Sequence, residues 1–315
     1  MSVLAVDIGG TNYRVAVVDA SGQILQQQRY AVVREAGAES LLRQLLPQVL
    51  EAAASAGEPP AAVGVGFGGP VDFYQQRVMR SMHVSGWKDF SFADWLRPYL
   101  GLPVIVDNDG NAGAWGEYLF GAGRGSTDMV YYTVSTGVGG GIVLDGRLRR
   151  GRHSQAAELG HVPLLAAGPT CSCGAQGCVE SLCSGPALAQ RAIDYVRNDD
   201  SRDSSLAALY RQKDTLTAQD VFIAAQSGDT TATGLLQTTR MWFVRAVRGV
   251  VATLDVDTVV VGGGVGTAAG FLDGVEQSVN QQRLLPEVAP VSVVPAALAD
   301  DSVLLGAAGM ALETC

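Results

Sequence analysis

Two glycine-rich turns, each set between a strand-like run and a returning one, constrain this chain more than any other feature. The first, Asp7-Ile8-Gly9-Gly10-Thr11-Asn12, follows an apolar run at 3–6 and precedes another at 13–19. The second, Ser135-Thr136-Gly137-Val138-Gly139-Gly140-Gly141, follows residues 129–134 and precedes 142–144, with Asp145-Gly146 closing a hairpin. A strand–glycine-turn–strand unit that occurs twice points to two related half-domains.

The intervening pattern alternates short apolar strands with amphipathic helices. Strands are expected at 24–33, 62–67, 104–106, 258–261 and 291–294. The clearest early helix is 38–56, where Leu41, Leu42, Leu45, Leu46, Val49, Leu50 and Ala53 recur at helical spacing. Pro47 inside it predicts a kink or a split. Further helices are expected at 90–100, 111–120, 186–196, 204–211, 218–227, 230–254, 271–279 and 302–312. Thr217, three residues before Asp220, predicts a helix cap. Such alternation argues for α/β layers, with ligands at the carboxyl ends of strands. The Gly- and Ala-containing stretch 121–127 is the natural boundary, giving an N-terminal lobe over 1–120, a C-terminal lobe over 121–300 and a terminal helix in 301–315.

Composition excludes several classes. With 47 % apolar residues among 315, wholesale disorder is ruled out. Lys and Arg number 22 against 31 Asp and Glu, a formal charge of −9, and no basic block appears, so no nucleic-acid partner is expected. No uninterrupted apolar run is long enough for a membrane span. The N-terminus lacks the basic region of a signal peptide, so a cytoplasmic protein is expected.

The turns themselves suggest phosphate. Glycines let the backbone approach closely with N–H groups aimed at oxygens. Gly9, Gly10, Thr11 and Asn12 form one candidate cradle, and Thr136 and Gly137 the other. Asp7 would organise Mg²⁺ through water. Gly262-Gly263-Gly264 follows a Val259-Val260-Val261 run and could admit an adenosine moiety at Gly263 and Gly264. Asp107-Asn108-Asp109 lies between a buried strand and a helix, where a carboxylate can accept the proton of a sugar hydroxyl during phosphoryl transfer. Asp109 is the candidate base and Asp107 a supporting residue. Of five cysteines, three cluster at 171, 173 and 178, which favours a metal over a disulfide framework. With His161 they complete a four-donor set for tetrahedral, structural Zn²⁺: His161, Cys171, Cys173 and Cys178. Such an ion would fix the loop that carries Glu158 and Glu180. Trp87, Trp95 and Trp115 read as core or cleft-wall residues, Trp87 being the best wall candidate, and His83 and His153 have no evident partner.

Together these residues resemble the ROK family of sugar kinases and transcriptional regulators, within the actin-like ATPase and sugar-kinase group. The resemblance runs from about residue 4 to residue 312. Its most specific parts are Glu158-Leu159-Gly160-His161 and the run from Cys171 to Glu180, matching Cys-x-Cys-Gly-x-x-Gly-Cys-x-Glu. Asn108-Asp109-Gly110-Asn111 is similar to the family's Asn-Asp-x-Asn core, with Asp107 where the family usually has glutamate. Gly68-Gly69-Pro70-Val71-Asp72 is similar to its Pro-Gly-Pro-Val-Asp turn. Many members place a sugar-contacting asparagine where Arg80-Ser81-Met82-His83 stands here.

The resemblance implies a two-lobed actin-like (ribonuclease H-like) fold with ATP and sugar in the interlobe cleft and with the terminal helix, 301–315, returning to the N-terminal lobe. It implies hexose hydroxyls bound by Asn108, Asp109, Glu158, His161 and Glu180, with Gly69 lining the site. It further implies ATP-dependent phosphorylation of a hexose 6-hydroxyl, glucose foremost, in a homodimer using ATP, Mg²⁺ and structural Zn²⁺. Fructose, mannose and N-acetylhexosamine kinases are the alternatives within that class, and a non-catalytic sugar sensor the alternative outside it. The family's regulators carry an N-terminal DNA-binding extension; here the first strand begins by residue 3, which argues for an enzyme.

Overall fold

The computed structural model describes residues 1–81, 84–198, 204–281 and 287–315. Met82 and His83 therefore lie outside the described residues. The chain divides into two compact units, one of residues 1–127, 141–157 and 297–315, the other of 128–140 and 158–296. The sequence-based boundary at 120/121 moves to 127/128. The stretch 141–157, expected in the second lobe, groups with the first unit.

The first unit begins as an antiparallel meander of β1 (Ser2–Ile8), β2 (Asn12–Asp19) and β3 (Ile24–Ala31). Helix α1 (Gly37–Ser55) lays Leu41, Leu45, Val49 and Ala52 into the core. It is one unbroken helix despite Pro47, which lies on the exposed side, where a carbonyl freed by the missing N–H can reach water. Strand β4 (Val63–Phe67) adds in parallel to β1. A short hairpin follows, β5 (Val71–Asp72) with β6 (Arg77–Val78). Then come α2 (Phe92–Leu100), β7 (Val104–Asn108), parallel to β4, and α3 (Asp109–Phe120). Trp87 is 5 % exposed and packs edge-on against Phe67 and Phe90, so it is a core residue and not a cleft wall.

Strands β8 (Met129–Val134), β9 (Val138–Leu144) and β10 (Arg147–Leu148) open the second sheet. The glycines at 139–141, expected in the turn, are strand residues. A Cβ on Gly140 would fall 2.7 Å from the Tyr131 carbonyl oxygen, and one on Gly141 2.7 Å from that of Gly110. Close packing, not turning, therefore demands Gly140 and Gly141.

Helices α4 (Val179–Cys183), α5 (Gly185–Asn198), α6 (Ser205–Lys213), α7 (Ala218–Gln226) and α8 (Thr230–Leu254) follow. The Thr217–Asp220 pair forms the expected reciprocal cap of α7. Strand β11 (Thr258–Gly262), helix α9 (Val275–Gln281), strand β12 (Ser292–Pro295) and helix α10 (Ser302–Leu312) complete the chain. Helix α9 starts four residues later than its apolar pattern suggests, because Gly274 adopts a positive φ of 71° just before it.

The two sheets run β3-β2-β1-β4-β7 and β10-β9-β8-β11-β12. In each, the third, second and first strands stand side by side and two parallel strands extend the other edge. The echo between the glycine turns thus extends to whole sheets.

Helix α10 packs on α3, β1 and β4 within the first unit. A Cβ on Gly306 would lie 1.6 Å from the Ala112 carbonyl oxygen, so only glycine allows that approach. Glu117 of α3 is fully buried; it accepts hydrogen bonds from Ala122 N (2.8 Å), Ala297 N (3.1 Å), Leu298 N (3.0 Å) and Ser302 Oγ (2.6 Å). No helix among the described residues is long and apolar enough to cross a membrane.

Candidate active site

In the first unit the glycine turn and the end of β7 meet. Gly9 N–H donates to the Asn12 carbonyl (3.0 Å) and Gly68 N–H to that of Ile8 (2.8 Å). Among the described residues, the N–H groups of Gly10 and Thr11 find no protein acceptor, which leaves two donors at the turn for an anion.

Asp109 is the first residue of α3, and Asn108 is its cap: Asn108 Oδ1 accepts from Gly110 N (2.8 Å), while Nδ2 donates to the Gly69 carbonyl (3.1 Å). A Cβ on Gly68 would lie 3.5 Å from both Asp109 Oδ2 and Gly9 Cα, so the carboxylate and the turn face each other across this residue. A Cβ on Gly69 would lie 2.8 Å from the Arg80 carbonyl oxygen; packing accounts for that glycine.

Two arginines absent from the sequence-based assignment support this corner. Arg14 donates Nε (3.0 Å) and Nη2 (2.6 Å) to Asp7 Oδ2 and Nη1 to Asp301 Oδ1 (2.8 Å). Burial pushes the Asp7 carboxyl up, and Arg14 opposes it. Arg150 donates Nε to Asp107 Oδ2 at 2.6 Å. Arg14 and Asp7 stand opposite each other across the β1–β2 hairpin, whereas Arg150 is 43 positions from Asp107 and leaves no local sequence signal.

In the second unit Ser135 N–H donates to the Gly137 carbonyl (2.9 Å), and the N–H groups of Thr136 and Gly137 are without a protein acceptor among the described residues. Val265 and Gly266 N–H donate to the Val134 carbonyl (2.9 and 3.0 Å), and Gly185 N–H to that of Ser135 (2.8 Å). The 262–266 turn and the start of α5 therefore border the second cradle. Gly263 needs its φ of 81°, whereas a Cβ on Gly264 meets nothing nearer than Ser135 Oγ at 4.0 Å.

Glu180 of α4 sits directly on this turn. Its Oε2 accepts from Val138 N (3.1 Å) and its Oε1 from Ser172 Oγ (2.9 Å). A cavity of about 370 Å³ opens here, lined in part by Thr136, Thr170, Ser172, Glu180, Ser184 and Arg191.

The cysteine loop folds as one cluster. His161 Nδ1 lies 3.4 Å from Cys171 Sγ, and the donor atoms of His161, Cys171 and Cys173 lie within 4.8 Å of one another. Cys178 Sγ is 3.8 Å from Cys173 Sγ. Tetrahedral zinc with thiolate bonds of about 2.3 Å sets its donors about 3.7 Å apart; the clustered donors of His161, Cys171 and Cys173 suit such an ion, and Cys178 stands beside them through Cys173. Burial pushes the Cys178 thiol up to about 12, while an N–H bond from Ala175 holds Cys173 below its usual range. With Nδ1 facing the thiols, His161 Nε2 lies 3.9 Å from Glu158 Oε2. Cys183 is fully buried, its thiol likewise pushed up to about 12 by burial, and is inert packing.

A profile of the ROK family matches residues 3–314. The chain is 33 % identical over 315 residues to the glucokinase of Thermotoga maritima, covering 99 % of this chain and 98 % of that one. It is 34 % identical over 311 residues to the N-acetylmannosamine kinase of Yersinia pestis, covering 97 % and 96 %. This chain belongs to the ROK family. A ROK family glucokinase from Streptomyces griseus, solved in complex with glucose and AMPPNP, has a TM-score of 0.83 at 33 % identity and covers 99 % of this chain and 100 % of its own. The fold is the α/β, actin-like ATPase fold of those ROK kinases. Within that ROK frame, the Arg14–Asp7 and Arg150–Asp107 pairs and the seat of Glu180 on the second turn are what the structure adds to the sequence reading.

Proposed function

We propose that this protein transfers the γ-phosphoryl group of ATP to the 6-hydroxyl of a hexose, with glucose the preferred acceptor and Asp109 the general base. The chain is an ATP-dependent hexose kinase of the ROK family. The mechanism rests on the first-unit geometry, in which Asp109 Oδ2 stands beside the Gly9 turn across Gly68. A proton acceptor and a pair of spare N–H donors occupy one corner.

The acceptor oxygen forms its bond to the γ-phosphorus, and the bond from that phosphorus to the β,γ-bridging oxygen breaks. The electron pair leaves on ADP, and the hydroxyl proton passes to Asp109. A carboxylate is a weak base, so it orients the hydroxyl early and takes the proton late. Gly10 and Thr11 on one turn, and Thr136 and Gly137 on the other, donate N–H groups to phosphate oxygens, helped by the side chains of Thr11, Asn12 and Thr136. Gly263 and Gly264 flank the adenosine. Mg²⁺ supplies charge neutralisation to the phosphates; Asp7 would hold it through water with Oδ1, the oxygen not engaged by Arg14.

Asn108, Glu158, His161 and Glu180 hold the sugar hydroxyls, beside Gly69. His161, Cys171, Cys173 and Cys178 hold structural Zn²⁺, which would fix the segment carrying Glu158 and Glu180. A cytoplasmic homodimer completes the proposal.

Glucose is chosen on the likeness to the glucokinases, yet the N-acetylmannosamine kinase is as similar in sequence. A coupled assay with ATP and Mg²⁺ therefore compares glucose, fructose, mannose, N-acetylglucosamine and N-acetylmannosamine. Glucose is expected to give the highest kcat/KM. An N-acetylhexosamine in first place would overturn the acceptor and leave the kinase standing; no ATP consumption with any sugar would overturn the mechanism.

A further inference from the structure

The end of β7 contains a buried ion pair that no phosphate or sugar contact explains. Asp107 is 2 % exposed in its side chain and Arg150, which follows β10, is 16 % exposed. Arg150 Nε donates to Asp107 Oδ2 at 2.6 Å, its Cζ lies 3.6 Å from the centroid of the Phe73 ring, and its Nη2 lies 3.9 Å from Met310 Sδ. The guanidinium is thus fixed by a ring on one face and a carboxylate at its edge.

The other carboxylate oxygen reaches forward. Asp107 Oδ1 accepts from Asn108 N–H (2.8 Å) and from Asn111 Nδ2 (2.9 Å). Those two donors stand on either side of Asp109 in the chain. Asn111 is 4 % exposed, and its Oδ1 has no hydrogen-bond partner, so Asp107 alone sets the orientation of that amide. An isolated buried carboxylate would protonate and turn one of its two acceptors into a donor.

We propose that Arg150 is a positioning residue for phosphoryl transfer: by holding Asp107 as a buried carboxylate, it fixes the Asn108 and Asn111 contacts that bracket Asp109 and so aims the catalytic carboxylate. This rests on Asp109 being the base. Burial pushes the Asp107 carboxyl up and the Arg150 charge pulls it down. The elements packed on β7 also carry Asp72 of β5 and Asp109 and Glu117 of α3, and Glu313 stands beyond α10, where its carboxyl also feels Arg150. Strand β4, alongside β7, carries none, and Asp94 of α2 pairs with Arg97 of the same helix. Loss of Arg150 therefore raises the pH at which Asp107 protonates, and the defect worsens as pH falls.

The experiment compares wild type, Arg150→Met, Arg150→Lys, Asp107→Asn and Arg150→Met/Asp107→Asn, all with full-length protein and glucose. Arg150→Met is expected to lower kcat about 10- to 100-fold with glucose KM nearly unchanged, as a displaced catalytic group does. The acid limb of its kcat profile is expected to move to higher pH, and Arg150→Lys to recover most of the loss. In the Asp107→Asn background, which has no carboxylate to hold, removing Arg150 is expected to change kcat little.

An unshifted acid limb with kcat within about twofold of wild type, or losses that simply multiply in the double variant, would overturn the proposal. If Arg150→Met does not fold, Arg150→Lys decides: a smaller shift of the same sign supports the proposal, and none overturns it. Asp109→Asn is the separating control, since an active Asp109→Asn fails the general-base reading itself, whereas an inactive one with a normal Arg150→Met fails only this inference.

Discussion

Cys173 is the exposed cysteine of the proposed zinc site. Its neighbour Ser172 donates to Glu180 Oε1, so the cysteine loop and the carboxylate on the second turn are one structure. Cys173→Ala is expected to abolish bound zinc and to raise the sugar KM; elemental analysis checks the first, and unchanged metal content would refute the ligand set. Gly137 makes the complementary case. A Cβ there would lie 2.7 Å from Glu180 Oε2 and must displace the bond from Val138 N–H. Gly137→Ala is expected to lower kcat/KM about 10- to 100-fold at near-normal melting temperature, and steady-state kinetics with differential scanning calorimetry will show it. The types and spacing of these residues were legible in the sequence because ligation and close backbone approach restrict chemistry locally. Their partners were not: nothing at position 150 announces Asp107, and nothing at Arg14 announces Asp301.

Element by element, the caps and closures of the helices carry measurable stability. Glu117 satisfies three backbone N–H groups and one hydroxyl at the end of α3, all within the first unit. Glu117→Ala would leave these buried donors without their acceptor, and chemical denaturation is expected to show a loss of about 3–5 kcal/mol. Asp229 caps α8 through Ala232 N and also accepts from Ser204 and Ser205. Although burial pushes its carboxyl up, the bonds from Ala232, Ser205 and Ser204 outweigh this and hold it at about 2. A carboxyl depressed on folding contributes stability that is complete above its unfolded pKa and lost as pH falls toward the folded one. Asp229→Ala is therefore expected to cost about 1 kcal/mol at neutral pH, with the gap to wild type closing between about pH 4 and pH 2. Long periodic elements such as α1 and α8 are readable from sequence because one apolar face repeats. The two-residue strands β5 and β6 and the five-residue α4 are not, since too few side chains carry a period. The strand glycines at 139–141 misled for the opposite reason: glycine marks close packing as well as turns.

For the whole molecule, the shared order of the two sheets makes the paired glycine turns corresponding parts of two similar units. The sequence echo was short, yet a strand, a turn and a return strand suffice to identify the unit that is repeated. What it could not show was that residues 141–157 group with the first unit, because long-range grouping has no periodic signature. A folded chain that binds its substrates gains stability by mass action, so glucose at about 100 times its Kd should add about 2.7 kcal/mol. A calorimetric midpoint unmoved by glucose would contradict sugar binding. The decisive measurement concerns Asp109 beside the Gly9 turn. Glucose binding to Asp109→Asn, by titration calorimetry, should stay near wild type while glucose 6-phosphate formation falls by about 10²- to 10⁴-fold. Near-normal turnover by that variant would contradict the assignment of Asp109 as the base and with it the proposed mechanism.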